Sequence, residues 1–580
     1  MKNKYLKLVP NRWLLMVFSL ILVCQGLKAQ ETVSGMVTDA TGAALPGASI
    51  VEKGTANGVQ TDFDGNYTIT VVGSEPILVF SYIGFLKQEL PLNGQASLNV
   101  VLTEDAAKLD EVVVVGYGTS KKSDVTGALT SVSSEDFEKQ PLNDVSQALQ
   151  GRAAGVQVTQ TSGEPGGGFK IRIRGANSVT GGNEPLYVVD GQFVDISTVN
   201  VNDIQSMEVL KDASSTAIYG TRGANGVILI TTKKGRVGKA KINIDLFSGF
   251  SSVTQKLDLL NAGEFAEGVI FAEGVNPEED NPFFTTQEIE NLKRVGGTDW
   301  QNLLFQTAFF NNVQVSASGG SEAIDYYISG NLYESGGTVI DEKFKRLNLR
   351  SNLNAQLTKN LKAGLNINVG RVENSGVRAD LGVGLSFDPT TPPFDENGDY
   401  NFNSIKNLAT SEINPILAAD NNIRENSEDR ISIAGYLNYD IVKNLVFNTS
   451  AGIVKTQRFN NSYNPLLTSG VGIANVDNIY TSDLFNTNRL TYSVDIGEKS
   501  SLKIDAVHEL VIDKFNRTDI DARNFFTDLV TYKDLSTAQF QLTSNTESKR
   551  ELESFLGRVN YSMLDKYLFT LSLRAKKIIF

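Results

Sequence analysis

Few of the residues that build active centres are present in this sequence. Its 580 residues include one cysteine, Cys24, and one histidine, His508. Cleavage after Ala29 would leave a chain with no cysteine, which excludes disulfide staples and thiolate metal sites. A single histidine argues against a histidine-built metal centre or catalytic triad. No nucleophile stands beside a base, so no enzyme chemistry and no cofactor are expected. Basic charge is also scarce: the formal net charge is −13, and removing the five basic residues of 1–29 takes it to −18. Such a balance speaks against nucleic acid as a partner. Beyond the first 30 residues no apolar run reaches helical membrane-spanning length. The remainder is either soluble and secreted, or it crosses a membrane as strands, whose hydropathy signal is weak.

What is present begins with an export signal. Lys2, Lys4, Lys7 and Arg12 precede an apolar run from Trp13 to Val23, and Leu27-Lys28-Ala29 places a small residue before Gln30. This three-part pattern predicts a secretory signal over residues 1–29. Val23 stands where a lipoprotein signal needs a small residue, so no lipid anchor is read. With 51 Gly, 30 Phe and 18 Tyr against 2 Trp, the composition suits an aromatic-bearing β protein with many turns. The length calls for several domains.

Residues 30–105 alternate in short runs between turn residues, which predicts a small β-sandwich. Asp62, Asp64 and Asn66 could suggest an ion loop, but most ligands of a calcium loop are missing and an Asp-Gly turn accounts for them. Gly35, Val37, Asp39, Gly42, Leu45-Pro46-Gly47-Ala48, Gly54-Thr55, Gly58, Thr61-Asp62, Asp64-Gly65 and Tyr67 together resemble the carboxypeptidase-regulatory-like domain of many Bacteroidetes outer-membrane receptors. The resemblance implies an accessory periplasmic domain without catalysis.

Residues 106–123 form a linker around Asp110-Glu111-Val112-Val113-Val114-Val115-Gly116-Tyr117-Gly118. Four successive valines favour extension. On pattern alone they read as one more buried strand; the other reading is an exposed strand that adds to a partner's sheet edge. The segment resembles the TonB box of SusC/RagA-type TonB-dependent receptors. That resemblance implies TonB as partner, energised by ExbB/ExbD, and Asp110 through Gly118 as its contact.

Residues 124–235 predict a mixed α/β domain of ordinary size. Pro141 to Ala154 has helical spacing, with Val145, Ala148 and Leu149 on one face. Phe169 to Gly175 alternates strictly, with Lys170, Arg172 and Arg174 on one side. Ser214 to Tyr219 reads as helical. Gly220-Thr221-Arg222-Gly223-Ala224-Asn225-Gly226 lacks the Gly-Lys-Ser/Thr end of a nucleotide loop, so tight turns explain it. Arg172-Ile173-Arg174-Gly175, Leu186-Tyr187-Val188-Val189-Asp190-Gly191, Glu208-Val209-Leu210-Lys211-Asp212-Ala213, Ala217-Ile218-Tyr219-Gly220 and Arg222-Gly223-Ala224-Asn225-Gly226 match the family's plug motif by motif. The resemblance implies a domain that fills a barrel lumen. Arg172, Arg174 and Arg222 read equally well as buried partners of lumen carboxylates or as plain surface charges.

From residue 236 to 580 the pattern becomes long alternating segments with polar turns, fit for a lipid-facing antiparallel barrel. Hairpins are expected at 344–358 with 361–372, 430–439 with 445–455, and 491–496 with 501–511. Residues 537–543 read as extended, and 558–562 with 567–573 as a late pair. Glu264 to Ala272 and Thr286 to Leu304 read as partly helical, and 374–427 as loop. Roughly ten to twelve strands result, against about 22 in receptors of this class. After Leu571-Ser572-Leu573-Arg574 the sequence departs from the family continuation. The expectation is a mostly β chain with an incomplete barrel, from a broken gene, a frameshift or a partial sequence. Its open edges should favour aggregation or degradation.

Taken together, the motifs resemble a SusC/RagA-like TonB-dependent outer-membrane receptor. That implies import of a large nutrient, glycan or peptide, with a SusD-like surface lipoprotein as lid and outer-membrane lipid around the barrel. The competing reading is a secreted β-rich adhesion or carbohydrate-binding protein, which would lack the plug motifs.

Overall fold

A computed structural model describes residues 31–580 apart from 40–41, 56, 72–75, 83–84, 104–111, 116–117, 122–127, 180, 195, 275–282, 378, 405–412, 498, 565 and 580. The signal segment, Cys24, Asp110, Glu111, Gly116 and Tyr117 lie outside the described residues. The chain divides into two compact units, residues 1–112 with 121–123, and residues 113–120 with 124–580.

The first unit is a β-sandwich. One sheet orders β4 (Asn66–Val71), β1 (Glu31–Thr38) and β7 (Val100–Val101). The other orders β3 (Gly58–Gln60), β2 (Ser49–Glu52), β5 (Ile77–Ser81) and β6 (Gln88–Pro91). Alternate residues face inward, and Val33, Ile50, Ile69, Leu78 and Phe80 fill the space between the sheets. Tyr67 joins them and donates its hydroxyl to the carbonyl of Leu98 at 2.8 Å; burial pushes that phenol up to about 12. The Asp62 carboxylate folds onto its own turn, accepting from the amides of Asp64 (3.0 Å) and Asn66 (2.8 Å). It thus acts as an Asx turn, as the sequence suggests.

In the linker, β8 (Val112–Val115) and β9 (Gly118–Lys121) form a two-stranded sheet.

The second unit contains the α/β domain and a large sheet. The α/β domain has a five-stranded sheet in the order β10-β15-β16-β13-β14, built from β10 (Leu129–Ser133), β13 (Leu186–Val189), β14 (Gln192–Phe193), β15 (Ile204–Leu210) and β16 (Val227–Thr232). A separate hairpin pairs β11 (Val156–Gln160) with β12 (Phe169–Ile173). Leu149, Ile171, Ile204, Met207 and Ile228 are the centre of its core. The helix expected over 141–154 is shorter than its periodicity suggests: only Val145–Leu149 is helical, as a 3-10 turn capped by Asp144. Its buried Val145, Ala148 and Leu149 are those the spacing selects. Gln150 turns back to extended backbone before Gly151, so the segment ends after one turn and a half. Ala213–Thr216 and Ala217–Gly223 are likewise short helical pieces, broken at Gly220.

Eleven antiparallel strands follow in sequence order: β17 (Gly238–Ser251), β18 (Ala308–Gly320), β19 (Ile324–Gly336), β20 (Lys343–Thr358), β21 (Leu361–Ser375), β22 (Ile423–Val442), β23 (Leu445–Asn464), β24 (Ile473–Asp495), β25 (Ser500–Phe525), β26 (Ala538–Met563) and β27 (Tyr567–Ile579). The expected hairpins are present, but several strands are longer than the sequence pattern shows. Residues 538–543 and 558–562 belong to one strand, β26, with Thr537 ending the 3-10 turn before it, and 473–490 are strand as well. The region 374–427 holds two short helices, Leu381–Ser386 and Pro415–Asn421. Among the described residues β17 and β27 each pair on one side only. Short turns join the strands at one rim of the sheet and long connections at the other, the asymmetry of outer-membrane barrels, whose long loops face outward.

The side chains of this sheet are inverted relative to a water-soluble core. On β20 the buried positions are Phe344, Arg346, Asn348, Arg350 and Asn352, while Leu347, Leu349 and Leu353 are exposed. On β22 Arg430 and Ser432 are buried and Ile431 and Ile433 exposed. Rows of apolar groups pointing away from a polar packed interior fit a nonaqueous surrounding. Among the described residues no helix is long and apolar enough to span a membrane, which says nothing of strands.

Candidate functional site

The α/β domain packs against the polar face of the large sheet, and three of its contacts centre on carboxylates. The first is nearest the short-turn rim. Asp203 accepts the hydroxyl of Tyr327 at 2.8 Å and the amide of Gln314 at 3.0 Å. The second centres on Asp190, which holds positive φ (48°) in the turn before Gly191. Its carboxylate takes the backbone amide (3.1 Å) and hydroxyl (2.6 Å) of Thr232 and pairs with Arg350. Arg350 also donates to the Thr232 hydroxyl at 2.7 Å. The third is an Arg–Glu–Arg cluster: Arg222 Nη2 lies 2.8 Å from Glu509 Oε1, and Arg574 holds the other oxygen. The Arg222 guanidinium also stacks 3.8 Å above the Phe193 ring. Beside it Tyr219, Ile218 and Leu229 pack on Val507 and Leu556 of the sheet. Buried charges demand such pairing.

The remaining residues of the sequence motifs take structural places within the α/β domain. Arg172 is exposed on the outer face of β12, between the buried Ile171 and Ile173, and Arg174 is exposed just after the strand, with φ 57°. Of the three arginines, Arg222 therefore has the lumen carboxylate. A strictly alternating strand gives no sign of which face meets a distant partner, and Glu509 lies 287 residues away. Gly175 follows Arg174 at the end of the strand. Asn225 donates to the carbonyls of Gly182 (2.8 Å) and Glu184 (3.3 Å). Gly226 has φ 91°, and a Cβ there would lie 2.7 Å from Ile173 Cδ1. A Cβ on Gly223 would meet the Thr216 carbonyl at 3.0 Å. Lys211 donates to Thr130 and the Ala154 carbonyl; burial, then the charge of Arg174, lowers its ammonium below the usual range. Asp212 caps the helical turn from Ala213, accepting from Ser215 N at 2.9 Å and from Ser214 and Ala128. Burial alone would raise that carboxyl, but these bonds outweigh it and take it to about 2.

Towards the long-connection rim the same two walls part to leave a cavity of about 520 Å³. The domain contributes Asp144, Gln147, the loop Glu164 to Gly168 and Tyr187; the sheet contributes Phe310, Tyr333, Phe344 and Arg346. Gly166 has φ 71°, and a Cβ there would fall 2.1 Å from the Phe344 ring, so the loop rests directly on that ring. Sequence reasoning missed Glu509, Arg350, Arg574 and Arg346. Their only signal is a charged residue at an inward position of a long alternating strand. Among the described residues no group of His, Cys, Asp and Glu could hold a metal ion.

Comparisons with known proteins agree with this arrangement. Residues 121–227 match the TonB-dependent receptor plug domain family, and residues 33–114 the CarboxypepD_reg-like domain family. TonB-dependent receptor P3 of Formosa agariphila is 37% identical over 592 residues, covering 99% of this chain and 56% of that protein. TonB-dependent receptor SusC of Bacteroides thetaiotaomicron is 31% identical, covering 97% of this chain and 58% of that protein. The chain thus spans about half the length of the curated relatives it matches. Among solved structures, the RagAB peptide importer in its open-open state superposes with a TM-score of 0.71 at 28% identity, over 81% of this chain and 56% of that one. The ferric citrate transporter FecA, at 11% identity and a TM-score of 0.53, shares the fold alone. With the plug wedged against an inverted strand wall and these relatives over nearly its whole length, the chain belongs to the TonB-dependent receptor family, among its SusC/RagA-like members.

Proposed function

We propose that this chain acts in the outer membrane of a Gram-negative cell, where it imports a large nutrient, glycan or peptide, without covalent chemistry. The observation that carries the reading is the inverted large sheet, with Leu349 49% exposed and its neighbour Arg350 7% exposed. The outward residues face lipid, and the inward ones grip the plug. The short-turn rim faces the periplasm. Substrate arrives at the other rim, under a SusD-like surface lipoprotein. Its binding biases the plug, Val112 to Val115 become available, and TonB, energised by ExbB/ExbD, adds a strand to them and pulls. The RagAB relative is by name a peptide importer, which makes peptides one class of cargo; SusC supports glycans only through the family resemblance.

The test is fractionation of cells expressing the chain, with gel mobility of unheated and boiled samples. A membrane-embedded species whose mobility changes on boiling is expected. A chain found wholly in the soluble fraction would refute the reading. Uptake of candidate glycans and peptides by a deletion strain then decides the cargo.

A further inference from the structure

The valine run of the linker is already half of a sheet. β8 (Val112–Val115) pairs with β9 (Gly118–Lys121) in a sheet of two strands, and among the described residues no other strand joins it. Only Gly116 and Tyr117 separate the two strands in the sequence. Strands joined by so short a connection pair antiparallel. That connection sets Val115 opposite Gly118, Val114 opposite Thr119 and Val113 opposite Ser120, and the first and third of these pairs exchange backbone hydrogen bonds. Val112 and Val114 then turn their backbone groups to the other side. One edge of β8 is occupied, and the other presents unmade hydrogen bonds, a template for one more strand.

A free linker strand has to be ordered at the moment of binding, and that ordering costs affinity. Here β9 orders β8 beforehand. A two-stranded hairpin is marginally stable in water, whereas three strands hold together. A strand arriving at the open edge therefore stabilises the hairpin in addition to making its own bonds. The composition assigns the places within such a sheet. Four successive valines suit a middle strand. Gly118, Thr119, Ser120 and Lys121 suit an outer one, since polar residues and lysine discourage growth from an edge. β9 is also the first strand on the covalent path from β8 to β10 (Leu129–Ser133) of the plug, and Val113–Ser120 group with the unit that contains the plug.

We propose that the partner's strand adds to the open edge of β8, so that β8 becomes the middle strand of three and Gly118–Lys121 form a positioning part of the coupling site. The inference rests on the reading of Val112 to Val115 as the strand that TonB takes. It extends the coupling site to residues that TonB does not touch. Displacement of β9 by the arriving strand is the opposite outcome of the test.

The test uses the full chain in detergent micelles, shown first to be heat-modifiable, and the purified periplasmic domain of TonB. Titration calorimetry gives the affinity, and hydrogen exchange follows the amides of residues 118–121. In the parent chain those amides should exchange more slowly once the domain is bound, because β9 stays paired and the sheet is stiffer. Ser120→Pro removes a donor aimed at β8 and should weaken binding about fivefold or more. Ser120→Val strengthens β9 without touching the valine run, and should bind at least as tightly as the parent. Both variants should keep the parent's heat modifiability. Faster exchange at 118–121 on binding, binding that is unchanged or tighter in Ser120→Pro, or weaker binding in Ser120→Val overturns the proposal while TonB remains the partner. No binding by the parent chain overturns the reading of the valine run itself.

Discussion

Arg222 Nη2 lies 2.8 Å from Glu509 Oε1, joining the plug to a wall strand 287 residues later in the chain. Glu509 is 2% exposed and also receives Arg574. Glu509→Ala would therefore strand two cations at once, whereas Arg222→Ala leaves Glu509 with one. The expected loss of stability is about 3–5 kcal/mol for Glu509→Ala and less for Arg222→Ala. Urea titration of the purified, heat-modifiable form checks the order. Equal losses would show that the pairings do not cooperate.

Asp190 separates charge from backbone conformation. Its φ of 48° is one that Asn tolerates and Ala resists. Asp190→Asn should lose only the pairing with Arg350, while Asp190→Ala should cost about 1 kcal/mol more. Chemical denaturation of the two variants, side by side, measures the difference.

Residues of β20 should respond to substitution in the reverse sense from those of a soluble protein. Leu349→Arg, on the exposed face, is expected to cost about 2–4 kcal/mol if it lies at the bilayer midplane. The same change on a water-facing surface would be close to neutral. Folding into lipid vesicles, followed by electrophoretic mobility, reads the effect.

The pH dependence of the plug should carry a contribution from Asp212. Its carboxyl is held at about 2, below its ordinary value of 3.8. A depressed carboxyl contributes stability that is complete above the unfolded value and is lost as pH falls through the folded one. The contribution should therefore fade between about pH 4 and about pH 2. Asp212→Asn, which still caps a helix, should flatten the stability profile in that window and leave it little changed at pH 7. Denaturation series at several pH values test this.

Strand addition at the valine run predicts a split phenotype. Val113→Pro removes a backbone donor and fixes φ, so uptake should fall to background while insertion, heat modifiability and substrate binding stay at parental levels. Crosslinking to TonB should vanish together with uptake. Persistent uptake would move the coupling strand elsewhere.

The elements legible in the sequence were those governed by local pattern. Period-two alternation marks β20, β21 and the later part of β22, because each side chain there reads only its own face. It misses most of β24 and half of β26, where inward and outward residues are both polar: Asn475, Asp477 and Asn478 carry no contrast of hydropathy. The 141–154 segment has the spacing of a longer helix than it forms, because an apolar triad at helical spacing also fits one 3-10 turn. Of the candidate site, the motif glycines and Asp190 follow from turn chemistry. Arg350, Arg346, Glu509 and Arg574 do not, since their partners are set by which strand of the wall faces which edge of the plug. A single sequence does not encode that facing in any local feature.

The strands lengthen along the wall, from 13 residues in β18 to 26 in β25 and β26. About ten residues of a tilted strand suffice to cross the hydrocarbon. In the proposed membrane setting more than half of β25 and β26 would stand in water as a chimney above the lipid, stiffened by cross-strand pairs such as Arg517 with Asp477 and Arg550 with Asp513. On the proposed import reading, cargo would meet one side of that chimney before the plug, so the upper courses of the wall would act as a first filter on size and charge.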